Sequence, residues 1–123
     1  MYRCYVAGNI TRNSKGEPAS VLEFLDNVRI GIAISKEFIQ NEIAVFSPFL
    51  DYQYNLNNTF LQLNKEQFQS NSIAWLEVSH IMYVISGIGL GGGVDREVRL
   101  AKKLEIPVFT RKVDVYEHCK VWV

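Results

Sequence analysis

Short apolar runs alternate along this chain with longer segments in which apolar residues recur at helical spacing. The apolar runs are rich in aromatic and β-branched residues and predict four strands, at residues 2–7, 43–47, 80–86 and 106–109. The segments with helical spacing predict helices at about residues 20–41, 59–79 and 94–104. Strands that alternate with helices are typical of a parallel α/β sheet covered by helices on both faces.

The first predicted helix has the clearest boundaries. Ser20 is a candidate N-cap, Glu23 completes a capping box three residues later, and Asn41 ends the helix. The apolar residues that recur at helical spacing within it are Val21, Leu25, Val28, Ile32 and Ile39.

The second predicted helix is less regular than the first. It follows a loop at residues 49–58 that is rich in tyrosine and asparagine, and residues 67–72 are polar enough to indicate a break within it. At the end of the chain, residues 120–123 are a candidate fifth strand at the sheet edge. We expect one domain over residues 1–123, with its core at 2–110 and a tail at 111–123. The candidate core positions of the second helix are Leu63, Phe68, Trp75 and Leu76.

Three predicted strands end in segments suited to contact a ligand. The carboxyl ends of parallel strands form the ligand-binding edge of an open α/β sheet. Gly8–Asn9, Ser47–Pro48 and a loop at 87–93 fall at those ends. In that loop five of seven residues are glycine, and it leads directly into a helix. Free backbone N–H groups and a helix N-terminus favour an anion such as a phosphate or carboxylate there, although a tight turn between strand and helix also requires small residues.

Glu97 and Tyr5 are the candidate chemical groups near that edge. Glu97 shares one side of its predicted helix with Leu100, Ala101 and Leu104. Burying a carboxylate that faces the core beside a cleft costs free energy unless the group is paired with a cation or takes part in the function. Glu97 is therefore a candidate nucleophile or general acid/base. Pairing with an arginine, or a favourable place near the helix N-terminus, is the alternative. The pattern around Tyr5 favours a core tyrosine whose hydroxyl can reach the cleft.

Composition and charge narrow the functional classes. Thirteen basic residues balance thirteen acidic ones, which disfavours a protein that binds nucleic acid through phosphate neutralisation. The two cysteines and two histidines lack the spacing of a zinc site, and we expect no metal and no cofactor. No apolar run approaches the roughly 18 residues that span a bilayer, and the N-terminus does not look like a signal peptide. We therefore expect a cytoplasmic protein with no membrane and no nucleic-acid partner.

Several segments, in order, resemble the nucleoside 2-deoxyribosyltransferase-like superfamily. Its members include deoxyribosyltransferases, 2′-deoxynucleoside 5′-phosphate N-hydrolases and small uncharacterised bacterial and phage families. The resemblance covers about residues 2–110. It lies in residues 5–10 (YVAGNI), 45–48 (VFSP), 75–76 (WL), 81–86 (IMYVIS), 93–101 (GVDREVRLA) and 104–108 (LEIPV).

The resemblance implies a flavodoxin-like (Rossmann-like) three-layer sandwich with strand order 2-1-3-4, and N-glycosidic bond chemistry. It maps the family's nucleophile to Glu97, which would attack C1′ of the (deoxy)ribose, and its supporting tyrosine to Tyr5. The ligand would be a small-molecule nucleoside or nucleotide, and relatives assemble as homodimers or larger oligomers. The expected substrate-binding residues are Gly8, Asn9, Ile10, Ser47, Asn71, Ser72, Gly87, Gly89, Gly91 and Gly93.

Three positions depart from the family pattern. The family's helper aspartate falls near Asn71 and Ser72, the aspartate that commonly begins the third strand is His80, and a phosphate-binding serine falls near Gly91. Because neither Asn71 nor Ser72 is a carboxylic acid, His80 and Asp95 become the nearest candidates to protonate the leaving base.

Two alternatives to this enzyme stay open. One is a nucleotide-binding or regulatory module on the same fold that has no catalytic activity. The other is a phosphoribohydrolase of the cytokinin-activating type, whose PGG-x-GT-x-x-E pattern overlaps residues 91–97 but whose threonine is absent from this sequence.

Overall fold

The computed structural model describes residues 1–56, 62–85 and 93–121. Along the chain the elements are β1 (Arg3–Ala7), α1 (Val21–Gln40), β2 (Ala44–Phe46), a 3₁₀ helix (Pro48–Asn55), α2 (Lys65–Glu77), β3 (Ile81–Val84), α3 (Gly93–Lys103), β4 (Val108–Phe109) and α4 (Lys112–Cys119).

The four strands form one parallel sheet in the order β2-β1-β3-β4. This confirms the predicted strand order and the flavodoxin-like three-layer class. β1 is a central strand, and its Tyr5 lies opposite Phe46 of β2 and Met82 of β3. The carboxyl ends of β1 and β3 lie side by side where the chain order reverses, which is the usual ligand position of such sheets.

Side chains of β1 alternate between two hydrophobic cores, as they must in a strand. Cys4 and Val6 pack on one face of the sheet with residues of α1 and α4. Tyr5 and Ala7 pack on the other face with residues of α2 and α3. Tyr5 is therefore directed toward the layer that contains Glu97.

Helix α1 begins and ends where the sequence predicts, but most of the apolar residues that predicted it are exposed. Ser20 caps it in a capping box with Glu23, and Asn41 is its C-cap. Of its five apolar residues at helical spacing, Val28 alone is buried. The buried side of α1 contains Gly31, where an added Cβ atom would lie 2.6 Å from the Phe49 ring of the 3₁₀ helix. The absence of a side chain at Gly31 therefore leaves room for the Phe49 ring.

Three local predictions are wrong. Residues 48–55 form a 3₁₀ helix that overlaps most of the segment predicted as a loop, 49–58. Helix α2 runs without a break through residues 67–72 and begins at Lys65. Two candidate core residues of the second predicted helix, Trp75 and Leu63, are 48% and 37% exposed. The tail forms α4, whose Val115 is fully buried in the core. Of the candidate strand at 120–123, residues 120 and 121 are not in a strand, and residues 122 and 123 lie outside the described residues.

Within the three described ranges, no helix combines the length and the apolar character needed to cross a membrane.

Candidate active site

Tyr5 and Glu97 form a hydrogen-bonded pair between the sheet and α3. Tyr5 is fully buried, and its hydroxyl donates to Glu97 Oε1 at 2.9 Å. Glu97 lies in the second turn of α3 and is partly buried. The pair is 92 residues apart in sequence, so only the fold brings it together. Both residues are the predicted catalytic groups.

The electrostatics of this pair keep the tyrosine protonated. Burial raises the pKa of Tyr5 far above its usual value, and the adjacent Glu97 charge raises it further. Burial also raises the pKa of Glu97, while the hydrogen bond from Tyr5 lowers it and the charge of Asp51 raises it again. Tyr5 is therefore a permanent donor, and it offsets part of the cost of an ionised Glu97.

A cavity of about 360 Å³ lies beside Glu97. It is walled by the first loop, the 3₁₀ helix, α2 and α3. Such a volume is at the lower end of the range found for small-molecule sites, which is roughly 300–1,000 Å³. The residues that line it are Thr11, Pro48, Asp51, Phe68, Gln69, Ser72, Ile73, Arg96, Glu97 and Leu100.

Asp51 is the carboxylate in this cavity that the sequence analysis missed. It lies on the 3₁₀ helix, and its Oδ2 accepts a long hydrogen bond of 3.4 Å from Ser72 Oγ of α2. Burial raises the pKa of Asp51, and the bond from Ser72 lowers it. One signal in the sequence could have found it, because Asp51 follows β2 closely and so lies near the carboxyl end of a strand.

Of the binding residues predicted on α2 and after β2, one lines the cavity and two do not. Ser72 is buried and lines the cavity, whereas its neighbour Asn71 is exposed and is not among the lining residues. Successive residues of a helix point about 100° apart, which explains this difference. Ser47 shares a hydrogen bond of 2.9 Å with Ser35 and lines a different groove.

The predicted residues after β1 lie close to the cavity without lining it. Ile10 is buried in the core shared with α1, and its carbonyl accepts a hydrogen bond from Asn27. Thr11, which does line the cavity, donates to Asn9 Oδ1 at 3.1 Å. Gly8 is partly buried beside them.

Of the predicted glycine loop, Gly93 is described as the first residue of α3. Gly87, Gly89 and Gly91 lie outside the described residues.

The two candidate proton donors from the sequence analysis are not in the cavity. His80 immediately precedes β3, at the amino end of the strands. Its Nδ1 accepts a hydrogen bond of 2.8 Å there from the backbone N–H of Arg3. Asp95 is exposed in the first turn of α3 and does not line the cavity. Among the side chains that the structure describes, no group of three or more could hold a metal ion.

A larger groove of about 630 Å³ lies between α1, β2 and the 3₁₀ helix. Asp51 lines this groove as well as the cavity, but Glu97 does not. Because the smaller cavity is lined by two carboxylates of raised pKa, we take it as the candidate active site.

Comparisons with known proteins support the fold of this chain but assign it to no family. Neither the models of protein families nor the curated proteins give a match. Among solved structures, the chain is similar to a conserved protein from Enterococcus faecalis, with a TM-score of 0.65 and 17% sequence identity. The similarity covers 88% of this chain but 61% of the E. faecalis protein. It therefore supports the three-layer α/β fold and carries no information on activity.

Proposed function

We propose that the protein cleaves or transfers the N-glycosidic bond of a nucleoside or nucleotide, with Glu97 as the nucleophile. One observation carries this proposal: a fully buried tyrosine donates a 2.9 Å hydrogen bond to a carboxylate in the wall of a cavity. The order and spacing of the motifs that resemble the deoxyribosyltransferase-like superfamily agree with it.

The chemistry requires a carboxylate held in one orientation. Cleavage at C1′ passes through a transition state with positive charge on the sugar, and a carboxylate can stabilise that charge or bond to it. Tyr5 engages Oε1 of Glu97, so we assign the attack on C1′ to Oε2. A water molecule then completes hydrolysis, whereas a second base completes transfer.

The cavity also offers an arginine for binding. Arg96 lines it next to Glu97, and its charge lowers the pKa of that carboxylate. A guanidinium at the rim is suited to a 5′-phosphate or to a sugar hydroxyl. The ring of Phe68 and the aliphatic side chains of Ile73 and Leu100 provide an apolar surface against which a base can pack.

The test is release of free base, followed by chromatography. Wild type, Glu97→Gln and the control Glu77→Gln are incubated with nucleosides and 5′-monophosphates in ribo and deoxy forms, with and without a second base. Glu77 is an exposed residue at the end of α2 and does not line the cavity, so its variant should behave as wild type. We expect base from wild type and Glu77→Gln, and none from Glu97→Gln.

Failure of this test has a defined meaning. If wild type releases no base from the whole panel and transfers none, the proposal is wrong for these substrates. Binding of a nucleotide under the same conditions, measured by calorimetry, would then favour a module without catalytic activity.

A further inference from the structure

A second carboxylate reaches the cavity from an element unrelated to α3. Asp51 lies on the 3₁₀ helix after β2, and both it and Glu97 line the same space. The Asp51 charge also acts on Glu97 and on Tyr5, so the three groups are electrostatic neighbours. Glycoside-cleaving sites generally need two carboxylates, one for the sugar carbon and one for the leaving group.

We propose that Asp51 is the general acid of this site, and that it protonates the leaving base while Glu97 attacks C1′. The proposal rests on the proposed function, and it assigns the second role that this reaction requires. Asp51 replaces the two proton donors expected from the sequence, since neither His80 nor Asp95 lines the cavity.

The surroundings of Asp51 shift its protonation equilibrium toward the protonated form. Its carboxyl is partly buried, and burial raises its pKa. The opposing effect is the Ser72 hydrogen bond, which is weak because 3.4 Å is long for an O–H···O bond. The titratable groups that line the cavity or the adjoining groove with Asp51 are Arg96 and Glu97 of α3, Lys36 of α1 and Tyr54 of its own 3₁₀ helix. Tyr5 of β1 lies behind Glu97.

The two carboxylates complete a balanced reaction. The bond between C1′ and the base nitrogen breaks, its electron pair goes to the base, and the Asp51 proton neutralises that base. At the same time Glu97 Oε2 forms a bond to C1′. A water molecule then attacks C1′, gives its proton to the Asp51 carboxylate and releases Glu97. The sum is nucleoside plus water to base plus sugar.

A comparison of leaving groups tests this role. Wild type, Asp51→Asn, Glu97→Gln and the control Asp26→Asn are assayed with the best neutral-base substrate and with 7-methylguanosine or its 2′-deoxy form, whose base departs without a proton. Asp26 is exposed on α1, and it is absent from the lining of the cavity. General acid catalysis contributes typically about 10²–10⁴-fold, and we expect Asp51→Asn to lose that factor in the first turnover on the neutral base alone, because the base leaves before water gives its proton to Asp51. Glu97→Gln should lose activity on both substrates.

The pH profile is a second measurement that a merely structural role would not change. Wild-type activity on the neutral base should fall on the alkaline side as Asp51 ionises, and this fall should be absent from Asp51→Asn. Denaturation in urea checks that Asp51→Asn is folded.

The two failures are distinguishable. Full activity of Asp51→Asn on the neutral base, or an equal loss on both substrates in the first turnover, overturns the role of Asp51 and leaves Glu97 as nucleophile. Absence of base release by wild type from either substrate overturns the proposed function itself.

Discussion

Removing the Tyr5 hydroxyl should make the stability of this protein depend more steeply on pH. In Tyr5→Phe the ring remains in its place beside Phe46, 5.6 Å away between centroids, while Glu97 loses its buried donor. That donor lowers the pKa of Glu97, so its loss should raise the pKa further. A carboxyl group whose pKa is raised by folding stabilises the fold when protonated, and this contribution is lost as the pH rises through the folded-state pKa.

The size of the effect follows from the kind of hydrogen bond that is lost. A bond to a charged group contributes about 1.5–3 kcal/mol, and one between neutral groups about 0.5–1.5 kcal/mol. Because Glu97 is only partly buried, solvent screening favours the lower part of the difference. Tyr5→Phe should therefore reduce the free energy of unfolding by about 1 kcal/mol more at pH 8 than at pH 4.

The assay is urea denaturation at both pH values, together with ¹³C NMR titration of the Glu97 side-chain carboxyl carbon. In a Glu97→Gln background the cost of Tyr5→Phe should be the same at pH 4 and pH 8, which makes a double-mutant cycle the matched control. An equal cost at both pH values in the wild-type background, or a Glu97 pKa that stays the same or falls in Tyr5→Phe, would refute the reasoning.

Three further predictions concern stability. Glu97→Gln should be more stable than wild type at pH 8 and similar to it at pH 3, since burial raises the pKa of Glu97 and glutamine carries no charge; urea denaturation at both pH values checks this. Gly31→Ala should destabilise by about 1–3 kcal/mol in urea, despite the better helix propensity of alanine, because its Cβ would meet the Phe49 ring at 2.6 Å. Leu76→Ala should cost about 2–5 kcal/mol in the same assay, since Leu76 is fully buried between α2 and the sheet; a cost below 1 kcal/mol would contradict that burial.

The strands and the start of α1 could be predicted because their signals are local. Apolar β-branched runs form strands that are covered on both faces, and Ser20 with Glu23 specifies a helix start through its own hydrogen bonds. Glu97 was also predictable, since its spacing relative to Ala101 places a carboxylate on the buried side of a helix.

The parts that could not be predicted depend on contacts between distant elements. The buried side of α1 contains Asn27, Val28, Gly31, Ser35 and Phe38, and of these Val28 alone belongs to the apolar stripe that predicts the helix. Phe49 packs close to Gly31 on that side. Asp51 lies in a segment whose tyrosines and asparagines are typical of a loop, and its partner Ser72 is 21 residues away. The sequence predicts a tail outside the core with a candidate strand at 120–123, but the tail folds into α4, whose Val115 is buried against distant elements.

The central position of β1 has a consequence for how the site responds to heat. A strand paired on both sides opens at or near the free energy of global unfolding, so its amides are among the last to exchange with solvent. Tyr5 belongs to that strand, and the donor that orients Glu97 therefore persists until the whole sheet separates. Asp51 is a partly exposed residue on a 3₁₀ helix that follows the edge strand β2, and we expect local opening to need less energy there. On warming, the amides around Asp51 should lose protection from exchange first, while the Tyr5–Glu97 pair is still intact.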